Sequence, residues 1–267
     1  MLRMAGTLGQ RRGPFRGLLD LYPGAAAAYS LRALSASFLN QPIIRVRRSS
    51  DNAEADFTAA QITNGTLTTW TGANDGFVRT WYDQSGNARH AEQTTAGNQP
   101  QIVDVGVLET DGGLPAIRFV KANSTNLETN GGLGAQPYTV FSVASVDSGN
   151  SFLLDGGSTN SLSLARLNSG TDFRLFSETA GVVTTNFNLG QRRLIYALAN
   201  NADSVIALNG GTGAAGAIGT GSITKIQIAG NALRWDGRIQ NIIIYNSNQS
   251  SNRTAIEANI NAAWGVY

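Results

Sequence analysis

The sequence predicts an all-β fold, either a sandwich or a barrel built from many short strands. Between about residues 43 and 246, short apolar or alternating runs recur roughly every ten residues, and Gly, Asn, Asp or Ser residues separate them. Strands at this spacing are typical of sandwiches and barrels. The chain also contains 31 glycines and only 14% charged residues, a composition that favours turns and polar strands over long charged helices.

The predicted strands are rich in β-branched and aromatic residues, which suit a pleated, half-buried surface. They are Ile43–Arg48, Thr66–Trp70, Phe77–Tyr82, Gln101–Val107, Ala116–Val120, Tyr138–Val146, Ser161–Leu167, Phe173–Ser177, Val182–Phe187, Arg193–Ala199, Ser204–Asn209, Thr224–Ala229 and Arg238–Tyr245.

Helical patterns occur near the two ends of the chain. Leu18–Phe38 is predicted to be partly helical, because Ala25–Ala28 are strong helix formers and the leucines that follow recur at helical spacing. A second helix is predicted through Thr254–Ala263, with Ser250 or Ser251 as its N-cap.

The composition limits the classes of function. A chain of 267 residues buries about three quarters of its unfolded surface, so one large β domain needs no disulfides. The absence of cysteine excludes thiolate metal sites. A net charge of +2 is too small to indicate a nucleic-acid partner. No run approaches the ~18 apolar residues of a membrane span, so we expect no membrane segment and no standard signal peptide.

Several segments resemble a known family. Residues 193–210 and 237–246, with the terminal helix, resemble the middle and closing strands of laminin-G and concanavalin A-like jelly rolls. Ala28–Arg32, Ile44–Asn52 and Thr80–Asn87 are similar to a module of bacteriophage and prophage virion proteins, a distant relative of the catalytic domain of α-L-arabinofuranosidase B. The resemblance implies a concanavalin A-like jelly-roll β-sandwich over residues 18–267, with an N-terminal arm, a short helix and a C-terminal helix.

The same resemblance bears on catalysis. A glycosidase needs two carboxyl groups on either side of the scissile bond. The positions that match the two catalytic carboxylates of the arabinofuranosidases are Thr159 and Asn231, and neither side chain can titrate as required. Asp155 and Asp236 are the only carboxylates near these positions. We therefore expect no enzymatic activity, with a residual glycoside hydrolase as the less favoured alternative.

Aromatic and amide residues predict where a glycan would bind, because aromatic faces stack on sugars while Asp and Asn accept hydrogen bonds from hydroxyl groups. The candidates are Trp81, Tyr82, Asp83, Asn87, Trp235 and Asp236. An alternative stays open: Trp81 and Tyr82 are core residues with hydrogen-bonded polar tips, and the 83–87 turn bonds its own backbone.

Metal and phosphate sites are less favoured by the sequence. His90 is the only histidine, so no transition-metal cluster is expected. We expect no cofactor other than calcium, for which Asp83 with Asn87, or Asp155, would supply oxygen ligands. The cluster of Arg45, Arg47 and Arg48 is predicted to be an outward strand face that pairs with Asp51, Glu54 and Asp56 instead of binding phosphate.

Residues 1–17 are basic and show no apolar period, so they are predicted to form an extended arm that anchors the domain to a partner. Its anchoring residues would be Arg3, Arg11, Arg12, Phe15 and Arg16. The resemblance then implies a virion structural protein, a head decoration or a tail- or fibre-associated protein. Such a protein would be homo-oligomeric, bound to other virion proteins, and able to present a surface for host or environmental glycans. The alternative function is a carbohydrate-binding adhesion module.

Overall fold

The computed structural model describes residues 14–157, 162–166, 171–177, 180–184, 186–230 and 233–267. It confirms the predicted all-β jelly-roll sandwich with a C-terminal helix. Most of its strands belong to one large antiparallel sheet that bends back on itself and nearly closes around the core.

The strands vary from two to nine residues in length. They are β1 (Ala27–Ser30), β2 (Pro42–Arg48), β3 (Glu54–Thr58), β4 (Gly76–Trp81), β5 (Ala91–Glu92), β6 (Gln101–Asp104), β7 (Val107–Leu108), β8 (Thr110–Asp111), β9 (Leu114–Pro115), β10 (Ile117–Phe119), β11 (Leu127–Glu128), β12 (Tyr138–Val146), β13 (Ser151–Asp155), β14 (Leu162–Arg166), β15 (Phe173–Ser177), β16 (Ala180–Thr184), β17 (Arg193–Ala199), β18 (Ser204–Leu208), β19 (Ala214–Gly216), β20 (Gln227–Ile228) and β21 (Gly237–Tyr245).

The helices are short except for the last one. The α-helices are α1 (Leu18–Leu21), α2 (Ala59–Thr63), α3 (Thr66–Thr71) and α4 (Arg253–Trp264). Single 3₁₀ turns occur at Ala36–Phe38, Ala96–Asn98, Lys121–Asn123, Asn201–Asp203 and Ser250–Asn252. Within the described residues, no helix has both the length and the apolar character to cross a membrane.

The large sheet has two halves. In the first half the strands run in the order β3, β2, β4, β5, β11, β20, β13, β14, β15, β16. In the second half, β21 pairs with β1, β10 and β12, and β17, β18 and β19 follow β12. Strand β6 joins the halves through β4 and β10, and at the far end β16 contacts β18 and β19.

The core lies between these halves and is densest around β12 and β21. All nine residues of β12 are buried, and in β21 only Arg238 is partly exposed. Such strands read as continuous apolar runs because both faces are covered. The predicted C-terminal helix is confirmed as α4, which buries Ile256, Ile260 and Trp264 and contacts β17.

Two predicted elements are wrong. The segment Leu18–Phe38, predicted to be partly helical, is helical at Leu18–Leu21, but its alanines lead into a strand, because Ala27–Ser30 pairs in register with Asn241–Ile244 of β21 and is completely buried. Packing overrides helix propensity here, since pairing with β21 buries Tyr29 as well as the alanines of the strand.

The segment predicted as a Thr66–Trp70 strand is helix α3. The Asn64 side chain accepts hydrogen bonds from the backbone and hydroxyl groups of Thr66, which starts the helix. Leu67 and Thr71, four residues apart, are the buried positions of the helix. The β-branched composition of the segment therefore wrongly predicts a strand, whereas the four-residue spacing of its buried positions indicates a helix.

Candidate functional site

The turn after β4 is held by the carboxylate of Asp83, which is only 2% exposed. Its Oδ1 accepts hydrogen bonds from the backbone N–H groups of Ala28 (2.8 Å) and Ser85 (2.9 Å). Its Oδ2 accepts from the Ser85 hydroxyl (2.7 Å) and the backbone N–H of Arg89 (3.0 Å). Asn87 donates through Nδ2 to the carbonyls of Ala25 and Ala26. These two side chains therefore tie the turn to the entry of β1.

The two tryptophans among the predicted sugar-binding residues lie in the core. Trp81 and Trp235 are both 0% exposed. The indole of Trp235 donates to the backbone carbonyl of Ser145 (3.0 Å), whereas Nε1 of Trp81 has no acceptor. In this structure neither ring presents a face to solvent. Asp236 is partly exposed and lies next to Trp235, away from the 83–87 turn in sequence.

Tyr82 and Asp83 line an open cleft of about 500 Å³ together with Phe38, Pro42 and His90. The rings of Tyr82 and His90 meet edge to face with centroids 5.1 Å apart. The Tyr82 hydroxyl donates to Asp56 (2.8 Å), and burial together with this hydrogen bond raises the pKa of Tyr82 to about 12. The aromatic part of the sugar-binding prediction therefore rests on Tyr82 alone.

Next to this cleft, the first half of the sheet presents a row of polar side chains. Residues directly opposite each other on antiparallel strands share a face of the sheet. The register sets such residues side by side across seven strands: Asp56, Arg45, Thr80, Glu92, Glu128, Gln227 and Asp155. We call the last four residues the carboxylate row. Its three acids come from strands that are far apart in the sequence.

Basic and amide groups stabilise the negative charges of this row. Glu128 accepts from Lys225 Nζ (3.0 Å) and from Gln227 Nε2 (3.1 Å), while Arg79 lies 3.6 Å from Glu92. Burial opposes ionisation of Glu128, but the hydrogen bonds from Lys225 and Gln227 outweigh it and hold its pKa below the ordinary value. Glu128 is therefore a carboxylate at neutral pH.

Asp155 lies at the end of β13, where the chain turns sharply. It is 3% exposed, and its carboxylate accepts from the Ser163 hydroxyl (2.8 Å) and the backbone N–H of Gly157 (2.8 Å). Gly157 has φ +84°, and a β-carbon at this position would lie 2.7 Å from that of Lys225. Only glycine fits this close approach without strain, so the turn holds Asp155 and Lys225 on the same side of the sheet.

The prediction from the sequence missed Glu92, Glu128 and Gln227. Each belongs to a strand of only two residues, too short to show an alternating pattern. Their proximity arises from pairing between strands more than 30 residues apart. No local signal in the sequence reports such a row.

Other predicted residues have different outcomes. Thr159, Asn231, Arg3, Arg11 and Arg12 lie outside the described residues. Phe15 and Arg16 are exposed ahead of α1. The pairing predicted for the arginine cluster is confirmed for Arg45 with Asp56 and for Arg48 with Asp51. No group of three or more His, Asp or Glu side chains suited to a metal occurs in the part of the chain that the structure describes. Calcium binding stays a prediction.

Solved structures share this fold. A GH54 α-L-arabinofuranosidase soaked with a cyclic sulfate inhibitor aligns with a TM-score of 0.66 at 16% identity, covering 93% of this chain and 65% of that one. An arabinofuranosidase complexed with arabinofuranosyl-α-1,2-xylobiose aligns at 0.63 and 14% identity, with the same coverage. Domain 4 of the GH43 extracellular arabinanase AbnA from Geobacillus stearothermophilus, in complex with arabinotriose, aligns at 0.50 and 14% identity. This alignment covers 66% of this chain and 91% of that domain.

Neither a protein-family model nor a curated protein matches the chain. The chain spans 65% of the length of the two arabinofuranosidase structures. The distant similarity to arabinofuranosidases predicted from the sequence is confirmed at the level of the fold.

Two predictions about function are wrong in the light of these neighbours. The virion structural role, as head decoration or tail-fibre protein, has no support, because the structures that match 93% of the chain are glycoside hydrolases. The prediction that the chain is not an enzyme is contradicted by the same finding. That prediction considered positions 159 and 231 and the nearby Asp155 and Asp236, but not Glu92 and Glu128, which the sheet places in one row with Asp155. The likeness, at 14–16% identity, shows a fold shared with carbohydrate-active β-sandwich domains.

Proposed function

We propose that this chain is a carbohydrate-active domain that binds a glycan across the carboxylate row and hydrolyses a glycosidic bond there. The observation that carries the proposal is the placement of Glu128 and Asp155 on one face of the sheet, on either side of Gln227. Glu128 is partly buried and Asp155 is buried, and most glycoside hydrolases require such a pair of carboxyl groups.

The spacing of these two residues suits the reaction. Neighbouring strands lie about 4.8 Å apart, so residues on either side of a third strand are separated by about 10 Å between their α-carbons. Side chains on one face of a sheet stand roughly perpendicular to it, so the two carboxyl groups are separated by a similar distance. Inverting glycosidases keep about 6.5–9.5 Å between carboxyl groups to admit a water molecule. We therefore propose an inverting geometry, in which that water attacks the sugar carbon while the leaving oxygen receives a proton.

The surroundings of the two carboxyl groups suggest their roles. Glu128, held ionised by Lys225 and Gln227, is suited to remove a proton from the attacking water. Asp155 is buried beside the Ser163 hydroxyl, which can donate to a carboxylate or accept from a carboxylic acid. We assign the general acid role to Asp155.

The structural neighbours suggest the class of substrate. Two of the matching structures are arabinofuranosidases, one of them complexed with arabinofuranosyl-α-1,2-xylobiose, and the AbnA domain is in complex with arabinotriose. By this analogy, we propose arabinose-containing polysaccharides as the substrates. The cleft beside Tyr82 and His90 adjoins the row and would hold a neighbouring sugar unit.

Hydrolysis assays test the proposal. The chain should release arabinose from arabinoxylan or arabinan and 4-nitrophenol from 4-nitrophenyl α-L-arabinofuranoside. Glu128→Gln should lower kcat about 100-fold or more on every substrate, the usual range for loss of a general base. Asp155→Asn should lower kcat on the polysaccharide by a similar factor but spare the nitrophenyl substrate, whose leaving group needs no proton.

Asp104→Asn is the matched control, because Asp104 is an exposed carboxylate on β6, outside the row. It should retain full activity. The proposal fails if the unmodified chain neither binds nor cleaves these glycans, or if Asp104→Asn and Glu128→Gln lose activity equally. If Glu128→Gln, and not Asp155→Asn, keeps its activity on the nitrophenyl substrate, the acid and base roles of the two residues are reversed.

A further inference from the structure

A second depression, of about 260 Å³, lies in the first half of the sheet and contains two guanidinium groups. Arg47 and Arg118 line it, together with Phe77, Gln99, Gln101 and Val120. We call it the arginine pocket. None of the residues that line it is acidic. Its volume is near the lower limit of small-molecule sites, so it accommodates about one sugar unit.

Arg47 is fixed in place entirely by neutral acceptors. Its Nε donates to the side chain of Gln99 (2.7 Å), and its terminal nitrogens donate to Asn52 (2.9 Å) and to the carbonyl of Ala96 (3.3 Å). Its guanidinium carbon also lies 4.9 Å from the ring centroid of Phe77. Among the described residues, no carboxylate lies within ion-pair distance of Arg47, so it is oriented but not neutralised.

Arg118 is also incompletely satisfied. Its Nε is buried and has no hydrogen-bond acceptor, and its terminal nitrogen is 3.6 Å from Asp147. Asp147 is shared with Arg238, which also binds Glu109. Among the described residues, the two guanidinium groups of the pocket therefore have one carboxylate within ion-pair distance, Asp147, and Arg118 shares it with Arg238. A buried donor without an acceptor lowers the stability of the fold. Arg118 therefore stabilises the fold little unless a ligand supplies an acceptor.

The arginine pocket adjoins the carboxylate row. Arg47 follows Arg45 by two residues on β2, which is about 7 Å along the strand and on the same face. Ala96 and Gln99, which form part of the pocket wall, come shortly after β5 in the chain, and β5 contains Glu92. Glu92, the member of the row nearest to Arg47, lies two strands across and two residues along from it, which is about 12 Å between α-carbons and spans more than one sugar unit.

We infer that the arginine pocket binds the carboxylate of a uronic acid residue in an acidic glycan. The guanidinium group presents parallel N–H donors that match a planar carboxylate, and Phe77 and Val120 offer apolar surface to the sugar ring. The anion site follows from the residues of the pocket alone, whereas its assignment to a sugar rests on the proposed function. Bound there, a uronate would set which part of the chain lies across Glu128 and Asp155.

Calorimetric titration tests this inference with three ligands. They are a xylo-oligosaccharide that carries one glucuronic acid, the same oligosaccharide with its carboxyl group reduced to an alcohol, and inorganic phosphate. The acidic oligosaccharide should bind at least 10-fold more tightly than the reduced one. Arg118→Gln should weaken its binding about 10- to 100-fold, the range for loss of a charged hydrogen bond. The affinity of Arg118→Lys for the acidic oligosaccharide should lie between those of the unmodified chain and Arg118→Gln. Lysine keeps the positive charge but lacks the parallel N–H donors of the guanidinium group.

Three further variants make the result decisive. Arg47→Gln should weaken binding as Arg118→Gln does. Arg47→Gln also removes three internal hydrogen bonds of Arg47, and this loss alone can disorder the pocket. The Nε of Arg118 donates no hydrogen bond, so the decisive variant is Arg118→Gln. Arg193→Gln removes a charge from the other half of the sheet and should bind normally. Asp203→Asn removes an exposed carboxylate in the 3₁₀ turn Asn201–Asp203, outside both sites, and should also bind the acidic oligosaccharide normally.

Equal binding of the acidic and reduced oligosaccharides would overturn the inference, as would equal weakening by Arg118→Gln and Arg193→Gln. Phosphate that competes as strongly as the uronate would show a general anion site and overturn the assignment to a sugar. Loss of hydrolysis with intact uronate binding would instead refute the proposed function alone.

Discussion

Replacement of Asp83 should expose how the turn after β4 is held. Asp83→Ala removes the acceptor of three backbone N–H groups, those of Ala28, Ser85 and Arg89. The hydrogen bond from Ala28 is buried and the other two are partly buried. A buried donor without an acceptor costs about 1–3 kcal/mol and a partly buried one less, so the free energy of unfolding should fall by about 2–3 kcal/mol. That is a large part of the ~5–15 kcal/mol that stabilises a typical protein.

Asp83→Asn is the matched variant. Its remaining oxygen still accepts from Ala28 and Ser85, and its amide can donate to the Ser85 hydroxyl, so only the N–H of Arg89 loses its acceptor. The expected loss is about 1 kcal/mol. Urea unfolding followed by tryptophan fluorescence measures both variants, and the midpoints should shift at unchanged slope. Equal losses for the two variants, or a loss below about 1 kcal/mol for Asp83→Ala, would refute this account of the turn.

Two other predictions concern buried aromatic residues. Trp235→Phe should destabilise the chain by about 1 kcal/mol more than Trp81→Phe in thermal unfolding, because only Trp235 donates a hydrogen bond, to Ser145; equal losses would contradict this. The raised pKa of Tyr82 means that the folded state favours its protonated phenol, so this contribution to stability is complete below pH 10 and is lost between pH 10 and about 12. Ultraviolet titration against Tyr82→Phe should show one tyrosine ionising near pH 12, and Asp56→Asn should lower that value.

Long strands could be predicted from the sequence and short ones could not. Tyr138–Val146 and Arg193–Ala199 are strands with the predicted bounds, because their apolar runs are long enough to identify. The predicted Thr224–Ala229 strand shrinks to Gln227–Ile228, and β5 and β11 were not predicted at all. Strands of two residues depend on their neighbours in the sheet, and β11 lies between two others of the same length. Their own residues therefore do not predict them.

The same difference explains the outcome at the candidate site. The 83–87 turn could be predicted from Asp, Ser, Gly and Asn residues because the hydrogen bonds within it are local, whereas its bonds to Ala25, Ala26 and Ala28 could not. Burial of Trp81 and the row of Glu92, Glu128 and Asp155 depend on which strands become neighbours. The residue types of a strand do not determine that order.

Strand β3 has a consequence for the behaviour of the chain in solution. Among the described residues it pairs only with β2, so its other edge has unpaired backbone groups that could template association with another molecule. Glu54 and Asp56 alternate along this edge and are exposed, and Asp56 is ion-paired with Arg45. A second copy that approached edge to edge would bring like charges together. The acids of β3 therefore protect the chain against aggregation through its free edge.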